Sequence, residues 1–438
     1  TVSRKDVYEF FNTGFLYEPD TGFQYIKKLE PGFFLEIDIV NNVRKNVCYG
    51  SPVAASSDDS LEMLVAGAVE HQEIADVPLG VFFSGGADSS ILASLAKNSE
   101  LLFAKYSHDA SSNIDLEYSE KISKFLNKPL KTTSIAMDGV DIEEVMASFR
   151  FVAEHSEELI SDYTFWATYL LSVAAKDSGY KVMLSGMGGD EVFAGYPRYI
   201  VLKYHYVLNL MELPIRFVKR FKLFPSSFSK KIERLLSYTL EKEWTVAYSR
   251  LLGYFSNSEL DEMFEDSLNL KSSYVKKLDN VCSGYSGDKD NKIKLAQYMD
   301  MKGCLSHNLM VSDKASMLAS IELRVPLLDE DIVANGRNTS SSELIDRHIL
   351  KAPLKNILAK LLPKNLIERP KTGFNPPLDG IINKIGRERV VSELEILSRY
   401  LVMECIENVV DLHFQGKVNN TYKIWQLLYF SQWLRHNT

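Results

Sequence analysis

Two glycine-containing turns in this sequence carry side chains suited to chemistry on phosphates. The first turn, SGGADSS, spans residues 84 to 90 and joins glycines and serines to the carboxylate of Asp88. Glycine lets the backbone approach a ligand closely, and serine hydroxyls and the unpaired amides of a following helix donate hydrogen bonds to an anion. Asp88 would repel a phosphate unless a Mg²⁺ ion lies between them. The turn therefore predicts a magnesium-dependent phosphate or pyrophosphate site, with a tight strand-to-helix turn as the structural alternative.

The second turn lies in LSGMGGDEVFAGYPRY, residues 184 to 199, and follows a short apolar run with the adjacent acids Asp190 and Glu191. By itself it is more typical of a helix start, where acidic side chains interact favourably with the helix dipole. If both turns follow parallel strands, they open at the same edge of the sheet, where α/β folds bind ligands. We therefore expect Asp88 and Asp190 to share one metal ion.

Two further stretches contain charged residues whose roles the sequence leaves open. In SDKASMLASIELRVPLLDEDIV, residues 312 to 333, Arg324 is either a carboxylate clamp or a member of a structural ion-pair network. In ERPKTGFNPPL, residues 368 to 378, Lys371 either neutralises charge on a reacting oxygen or is an ordinary surface lysine. The turns match neither the Walker A motif nor the GxGxxG motif, which argues against P-loop and dinucleotide-binding folds.

Composition excludes several classes of protein. The chain of 438 residues has a formal net charge of −8 and offers no general attraction to nucleic acid or to an anionic membrane. No apolar stretch is long enough for a membrane span, and the first residues lack the apolar core of a signal peptide. The four cysteines form no CxxC pair, which argues against a disulfide framework or a zinc site. These features predict a cytoplasmic protein that binds neither nucleic acid nor membrane.

Apolar periodicity predicts the elements that position the turns. Residues 31 to 50 alternate apolar and polar side chains around Asn-Asn, which predicts a β-hairpin, and residues 51 to 60 are typical of a linker. Helices and strands then alternate, including a strand at 77 to 83 and a helix at 91 to 97. This alternation is typical of a parallel sheet covered by helices on both faces. Residues 200 to 310 are predicted to be almost wholly helical.

The turn SGGADSS resembles the pyrophosphate loop of the N-type ATP pyrophosphatases. The chain also contains LSGMGGDEVFAGY, DKASMLASIELRVPLLD and RPKTGF, in the order typical of the synthetase domain of the asparagine synthetase family. This resemblance covers about residues 56 to 438. It implies an α/β fold in which a parallel-sheet ATP pyrophosphatase domain, of the adenine nucleotide alpha hydrolase type, is surrounded by helices and continues into a large helical C-terminal part.

Residues 1 to 55, with the predicted hairpin and linker, are similar to the end of that family's N-terminal glutaminase domain. The N-terminal cysteine with which such domains release ammonia from glutamine does not occur in this sequence. Unless the sequence is truncated, the expected nitrogen source is therefore free ammonia or a separate glutaminase partner. The sequence leaves the oligomeric state open, a homodimer included.

The resemblance implies an ATP-dependent amide ligase with ATP and Mg²⁺ as cofactors. In such enzymes a small-molecule carboxylate attacks the α-phosphate of ATP to give an acyl-adenylate and pyrophosphate, and an amine then displaces AMP. The implied catalytic residues are Lys371, Asp88 and Asp190, with the two aspartates as metal ligands. The residues matching positions that bind ATP or pyrophosphate are Phe82, Ser84, Gly85, Gly86, Asp88, Ser89, Ser90, Lys105, Ser185 and Gly186. The expected substrate contacts are Met187, Gly188, Glu191, Tyr196 and Arg324.

The sequence departs from the family pattern at positions that bear on the substrate. Met187 stands where the family motif SGEGSDE has glutamate, and Lys314 stands where arginine is usual. Because that glutamate is implied to assist the amine or aspartate, the carboxylate substrate is left open. Aspartate is the default, and the alternatives are a sugar acid in surface-polysaccharide biosynthesis or lactam formation within a peptide or metabolite. A non-catalytic nucleotide-binding scaffold is the alternative from another class.

Overall fold

The computed structural model describes residues 1–49, 59–97, 99–106, 110–135, 141–210, 229–367 and 378–438. Most of the predicted linker and the loop that contains Lys371 lie outside these ranges. Within them the chain forms a parallel sheet surrounded by helices, which confirms the α/β class expected from the sequence.

The strands of the described chain form two sheets. An antiparallel hairpin pairs β1 (Phe33–Asp38) with β2 (Val43–Cys48), and Asn42, with a φ of +53°, lies in the turn between them. The hairpin predicted from the Asn-Asn pattern is thus confirmed. The five parallel strands are β3 (Leu79–Phe82), β4 (Glu100–Tyr106), β5 (Leu130–Ile135), β6 (Val182–Leu184) and β7 (Glu322–Arg324). Their order is β5-β4-β3-β6-β7, so β3 lies at the centre with β6 beside it.

Helices make up most of the remaining described chain. The first group is α1 (Arg4–Thr13), α2 (Leu61–Gln72), α3 (Ala87–Leu95), α4 (Ala110–Leu126), α5 (Ile142–Ser156), α6 (Thr164–Asp177), α7 (Gly189–Val192), α8 (Arg198–Lys203) and α9 (His205–Leu210). The second group is α10 (Ser229–Leu240), α11 (Trp244–Ser249), α12 (Asn257–Met263), α13 (Ser267–Ser283), α14 (Lys292–Asp300), α15 (Ser306–Leu318), α16 (Glu330–Asn338), α17 (Ser341–Leu344), α18 (Ala352–Leu361), α19 (Lys364–Ile367), α20 (Leu378–Ile385), α21 (Arg387–Leu394), α22 (Met403–Phe414) and α23 (Thr421–Asn437). A π-helical turn, Met301–Leu305, joins α14 to α15. None of the described helices is both long and apolar enough to cross a bilayer.

The helix after the first glycine turn begins earlier than the sequence predicted. Gly86 is its N-cap and Ala87 its first residue, whereas the apolar pattern placed the start at residue 91. Polar side chains are compatible with the first turn of a helix, where the backbone amides have no partner within the helix. Much of SGGADSS is therefore helical, and Asp88 lies in the first turn of α3.

The fifth strand of the parallel sheet was not predicted. β7 pairs with β6 at the edge of the sheet and consists of Glu322, Leu323 and Arg324. One apolar residue between two charged residues is too short a pattern for the period of a strand to be recognised. Because side chains alternate between the faces of a strand, Glu322 and Arg324 lie on the face opposite to Leu323.

The first helix belongs to the same apolar core as helices from the C-terminal part. Phe11 of α1 is fully buried, and its ring contacts those of Phe255, Phe264 and Phe430 edge-on. The hairpin, in contrast, is largely exposed. The domain boundary at residue 55 stays a prediction, and α1 packs against residues on the other side of it.

Replacing Phe11 with alanine tests whether α1 is an integral part of this core. Loss of the ring leaves a cavity, so we expect the free energy of unfolding to fall by about 4 kcal/mol. The matched control Phe34→Ala, at a side chain that is 46% exposed in the hairpin, should lower it by less than about 0.5 kcal/mol. Urea unfolding followed by circular dichroism measures both values, and equal losses would contradict the assignment.

Candidate active site

Hydrogen bonds among its own residues shape the first turn. Gly85, just after β3, has a φ of +65°, a left-handed conformation that glycine adopts readily. The backbone amide of Ser84 donates to Ser89 Oγ at 3.3 Å, and the amide of Gly86 donates to Ser84 Oγ at 3.3 Å. The turn therefore folds back onto the start of α3, where backbone amides and hydroxyls together suit an anion.

The second turn packs directly against the first. β6 pairs with β3 in parallel, so the turns that follow the two strands leave the same edge of the sheet. A Cβ atom at Gly186 would lie 2.7 Å from Asp88 Cβ, and one at Gly189 would lie 2.7 Å from Asp88 Oδ1. Both distances are too short for any side chain, so glycine at these positions is what allows the second turn to reach Asp88.

The ammonium group of Lys351 lies between the two predicted metal ligands. Its Nζ is 2.5 Å from Asp88 Oδ2 and 2.8 Å from Asp190 Oδ1, and its side chain is only 6% exposed. Burial alone would lower the pKa of Lys351, but the charges of Asp88 and Asp190 raise that pKa above its ordinary value. One cation thus offsets the repulsion between two neighbouring carboxylates.

No sequence motif identifies Lys351 as a site residue. It immediately precedes α18, and α18 packs against α3, which brings the lysine beside Asp88. Gly195 makes room for it, because a Cβ atom there would lie 2.0 Å from Lys351 Cε. The stretch HILKAPLKN contains a weak signal, since Lys351 and Lys355 are spaced by four residues and both line the cavity described next.

A cavity of about 660 Å³ lies at the two turns, a size typical of small-molecule sites. Its walls also include residues of α6, α15 and the segment around the start of α18. The predicted site residues that line it are Phe82, Ser84, Gly85, Gly86, Asp88, Ser89, Ser90, Ser185, Gly186, Met187, Gly188, Asp190, Glu191 and Tyr196. Lys105 lies in β4 outside this lining, and Lys371 lies outside the described residues.

The structure does not bring Arg324 into the cavity, contrary to the carboxylate clamp expected from the sequence. Its Nη1 donates at 2.8 Å to the backbone carbonyls of Gln72 and Ile74 at the end of α2. The physical reason is the pleat of the unpredicted strand β7, in which Leu323 faces the cavity and its neighbours face away. Arg324 therefore secures α2 against the edge of the sheet.

The second acid of the second turn faces another part of the cavity. Glu191 is 2% exposed, and its Oε1 accepts hydrogen bonds from the Tyr196 hydroxyl at 2.6 Å and from the Asn308 amide at 3.4 Å. Burial is the main cause that raises the pKa of Glu191, and the charge of Asp190 raises it further. The cavity thus combines a cation-bridged pair of carboxylates with a separate buried carboxyl group.

The carboxylates of Asp88 and Asp190 suit a Mg²⁺ ion whose remaining ligands are substrate phosphates and water. Carboxylate oxygens are the ligands that Mg²⁺ prefers in proteins, and the ion usually takes one or two of them together with substrate phosphates and water. Within the described ranges, no cluster of three or more potential ligand side chains is found. The two carboxylates already converge on one cation at hydrogen-bond distance.

Substituting Lys351 with methionine tests the bridging role of its ammonium group. Without a divalent ion, the two carboxylates would lose their shared cation, so we expect the free energy of unfolding to fall by about 3 kcal/mol. Lys360→Met, at a side chain that is 64% exposed, is the matched control and should change it by less than about 0.5 kcal/mol. Urea unfolding in EDTA checks this, and a Lys351→Met variant as stable as the unsubstituted protein would disprove the role.

Comparisons with known proteins identify the family of this chain. The family model of asparagine synthase matches residues 60–435. Over 99% of its length the chain is 24% identical to glutamine-hydrolyzing asparagine synthetase 1 of Bacillus subtilis, and it covers 68% of that relative. It is also 24% identical to a Mycobacterium bovis relative, of which it covers 65%, and to asparagine synthetase 3 of Bacillus subtilis, of which it covers 58%. The chain thus spans roughly two thirds of the length of these relatives.

The matched range contains the parallel sheet, both glycine turns and Lys351. It also contains the stretches around Arg324 and Lys371. Since the family model covers most of the sequence, this chain belongs to the asparagine synthase family, a family of ATP-dependent ligases.

Proposed function

We propose that this chain is an ATP-dependent amide ligase that activates a carboxylate as an acyl-adenylate and releases pyrophosphate. The observation that carries the proposal is the convergence of Asp88 and Asp190 on a single cation where two parallel strands end. A nucleoside triphosphate requires a divalent ion and a set of hydrogen-bond donors in one place. The cavity offers residues for both, and the relatives are named as asparagine synthetases.

In the first step, the substrate carboxylate attacks the α-phosphate of ATP and pyrophosphate leaves. The serine hydroxyls of the first turn and the backbone amides at the start of α3 hold the pyrophosphate, and hydrogen bonds within the turn fix its shape. Asp88 and Asp190 would hold Mg²⁺, which would neutralise charge on the phosphate oxygens. Lys351, next to both carboxylates, adds positive charge beside the leaving group. By family resemblance, we also propose that Lys371 stabilises charge in this transition state.

In the second step, an amine attacks the acyl carbon of the adenylate. The new carbon–nitrogen bond replaces the carbon–oxygen bond to AMP, and the amide is the product. ATP supplies the activation, so the reaction requires no nucleophilic side chain. Free ammonia, or ammonia that a glutaminase domain or partner releases from glutamine, is the proposed nitrogen source, because the relatives are named as glutamine-hydrolyzing enzymes.

Aspartate is the first candidate for the carboxylate substrate, and two departures from the expected site favour a second. Met187 lines the cavity and provides an apolar surface where the family motif has a glutamate. The guanidinium of Arg324, the expected clamp for a carboxylate, is bound at the end of α2 instead. A sugar acid, or a carboxylate within a peptide or metabolite, is therefore the second candidate.

ATP–pyrophosphate exchange in the presence of Mg²⁺ separates these candidates. We expect exchange with at least one carboxylic acid, because adenylation is reversible and requires no amine. Exchange with aspartate identifies the default substrate, whereas exchange only with a uronic acid or a peptide carboxylate identifies the alternative. The absence of exchange with every acid would contradict the ligase proposal and favour a nucleotide-binding scaffold.

The metal role of Asp88 is tested by its substitution with asparagine. The amide keeps the shape of the side chain but removes the charge that holds Mg²⁺, so we expect exchange to fall by about 100-fold or more. Asp279→Asn, at an exposed acid of α13, is the control and should leave exchange unchanged. Circular dichroism checks that both variants fold. Undiminished exchange in Asp88→Asn would refute the metal role.

A further inference from the structure

Two helices build a polar wall on one side of the cavity. Thr164, Thr168 and Leu171 of α6 line the cavity, as do Asn308 and Ser312 of α15. Residues four apart lie on the same face of a helix, and α6 packs against α15. The two helices therefore present adjoining rows of short polar side chains to the cavity. We call the four polar residues of these rows the polar wall.

The hydroxyl groups of the polar wall are available to a ligand. Ser312 is 8% exposed, and Thr164 and Thr168 are half-buried. A serine or threonine in a helix commonly bonds to a carbonyl of the preceding turn, as Ser172 of α6 does with the carbonyl of Thr168. In the part of the chain that the structure describes, the hydroxyls of Thr164, Thr168 and Ser312 make no hydrogen bond. Because largely buried hydroxyls are normally hydrogen-bonded, these three have capacity for a bound molecule.

This side of the cavity has no positive charge among its described residues. Besides the polar wall, it is lined by Met187, Glu191 and Tyr196 of the second turn. The basic residues of the lining come from α18 and the segment before it, and they are His348, Lys351 and Lys355. An amino acid would find a partner for its ammonium group in Glu191, but no cation on this side for its second carboxylate. Burying a carboxylate without a partner is unfavourable, so this side suits an uncharged part of a substrate.

The polar wall is continuous with the end of the cavity where phosphates are expected. Asn308 donates to Glu191 at 3.4 Å, and Glu191 follows Asp190 in α7. A substrate whose reacting carboxylate lies at the phosphate end is thus placed to extend along the polar wall. Met187 and Leu171 also line the cavity. Their apolar surface can be buried against the C–H face of a ring.

We propose that the polar wall is the subsite for the acyl part of the substrate, and that this substrate is a polyhydroxylated acid of the uronic acid class without a second charged group. The inference rests on the proposed ligase function and selects among its candidate carboxylates. Hydroxyl and amide side chains both donate and accept hydrogen bonds, so each can pair with a ring hydroxyl in either direction. A substrate without hydroxyls would leave these groups unpaired, and sites of this kind discriminate strongly against such analogues.

A panel of acids in the ATP–pyrophosphate exchange assay tests the substrate class. The uronic acid probes are the methyl glycosides of glucuronic and galacturonic acid, and cyclohexanecarboxylic acid provides a six-membered ring without hydroxyls. Aspartate and a peptide with a free carboxylate complete the panel. We expect at least one uronic acid to support exchange, with a kcat/KM about 100-fold or more above that of cyclohexanecarboxylic acid. Its kcat/KM should also exceed the values for aspartate and for the peptide.

Substitutions that remove single hydroxyls test the role of the polar wall. In Thr168→Val and in Ser312→Ala we expect the KM for the uronic acid to rise about 10-fold, because each variant loses one hydrogen bond to the substrate. The KM for ATP should stay unchanged. Thr168→Ser keeps the hydroxyl and should remain within about 2-fold of the unsubstituted protein. Thr239→Val is the matched control, because the Thr239 hydroxyl bonds to the carbonyl of Leu235 within α10, and it should leave exchange unchanged.

Three results would overturn the subsite and leave the ligase function standing. The first is exchange with aspartate or the peptide at least as efficient as with the uronic acids, and the second is equally efficient exchange with cyclohexanecarboxylic acid. The third is an unchanged KM for the uronic acid in both Thr168→Val and Ser312→Ala. If no acid supports exchange, the ligase function itself is contradicted, and the substrate assignment fails with it.

Discussion

The attraction of one buried ammonium group for two carboxylates is the interaction on which the candidate site depends. Asp88, Asp190 and Lys351 come from three distant segments, and each would be unfavourable in the interior without the others. Their contact joins the ends of β3 and β6 to the start of α18. Two neighbouring carboxylates are stabilised by a cation between them. For the same reason, Asp88 and Asp190 are suited to bind the metal ion that accompanies a triphosphate.

Small residues make this contact sterically feasible. At Gly186, Gly189 and Gly195, an added Cβ atom would lie between 2.0 and 2.7 Å from atoms of Asp88 or Lys351. The glycines of the second turn therefore allow Asp88 and Lys351 to pack closely against its backbone, and they also leave room for a ligand. The positions of Asp88 and Lys351 therefore depend on glycine in the backbone around them, because a closely packed interior has no other space for these side chains.

The cavity is divided chemically along one short helix. Asp190 and Glu191 are adjacent in α7, yet one contacts a lysine and the other contacts a tyrosine and an asparagine. The two adjacent acids therefore have different surroundings within one cavity: Asp190 lies beside a buried cation, and Glu191 lies among neutral hydrogen-bond donors.

The sequence by itself determined the α/β class, the two turns and the pair Asp88 and Asp190. Glycine, serine and aspartate at the end of an apolar run constrain local geometry strongly, and parallel strands bring successive turns to one edge. It could also place the hairpin, because Asn-Asn between alternating segments is a local signal. These features depend on neighbours in the chain, and so they can be recognised from the chain alone.

Only the tertiary structure decided the roles of Lys351 and Arg324. Lys351 is an ordinary lysine until the packing of α18 on α3 buries it between two acids that are far away in the sequence. Arg324 was expected in the cavity, but a three-residue strand too short to be recognised turns its side chain to the other face. Likewise α1 joins the C-terminal core through long-range aromatic contacts. Burial and side-chain direction depend on long-range packing, which no local pattern encodes.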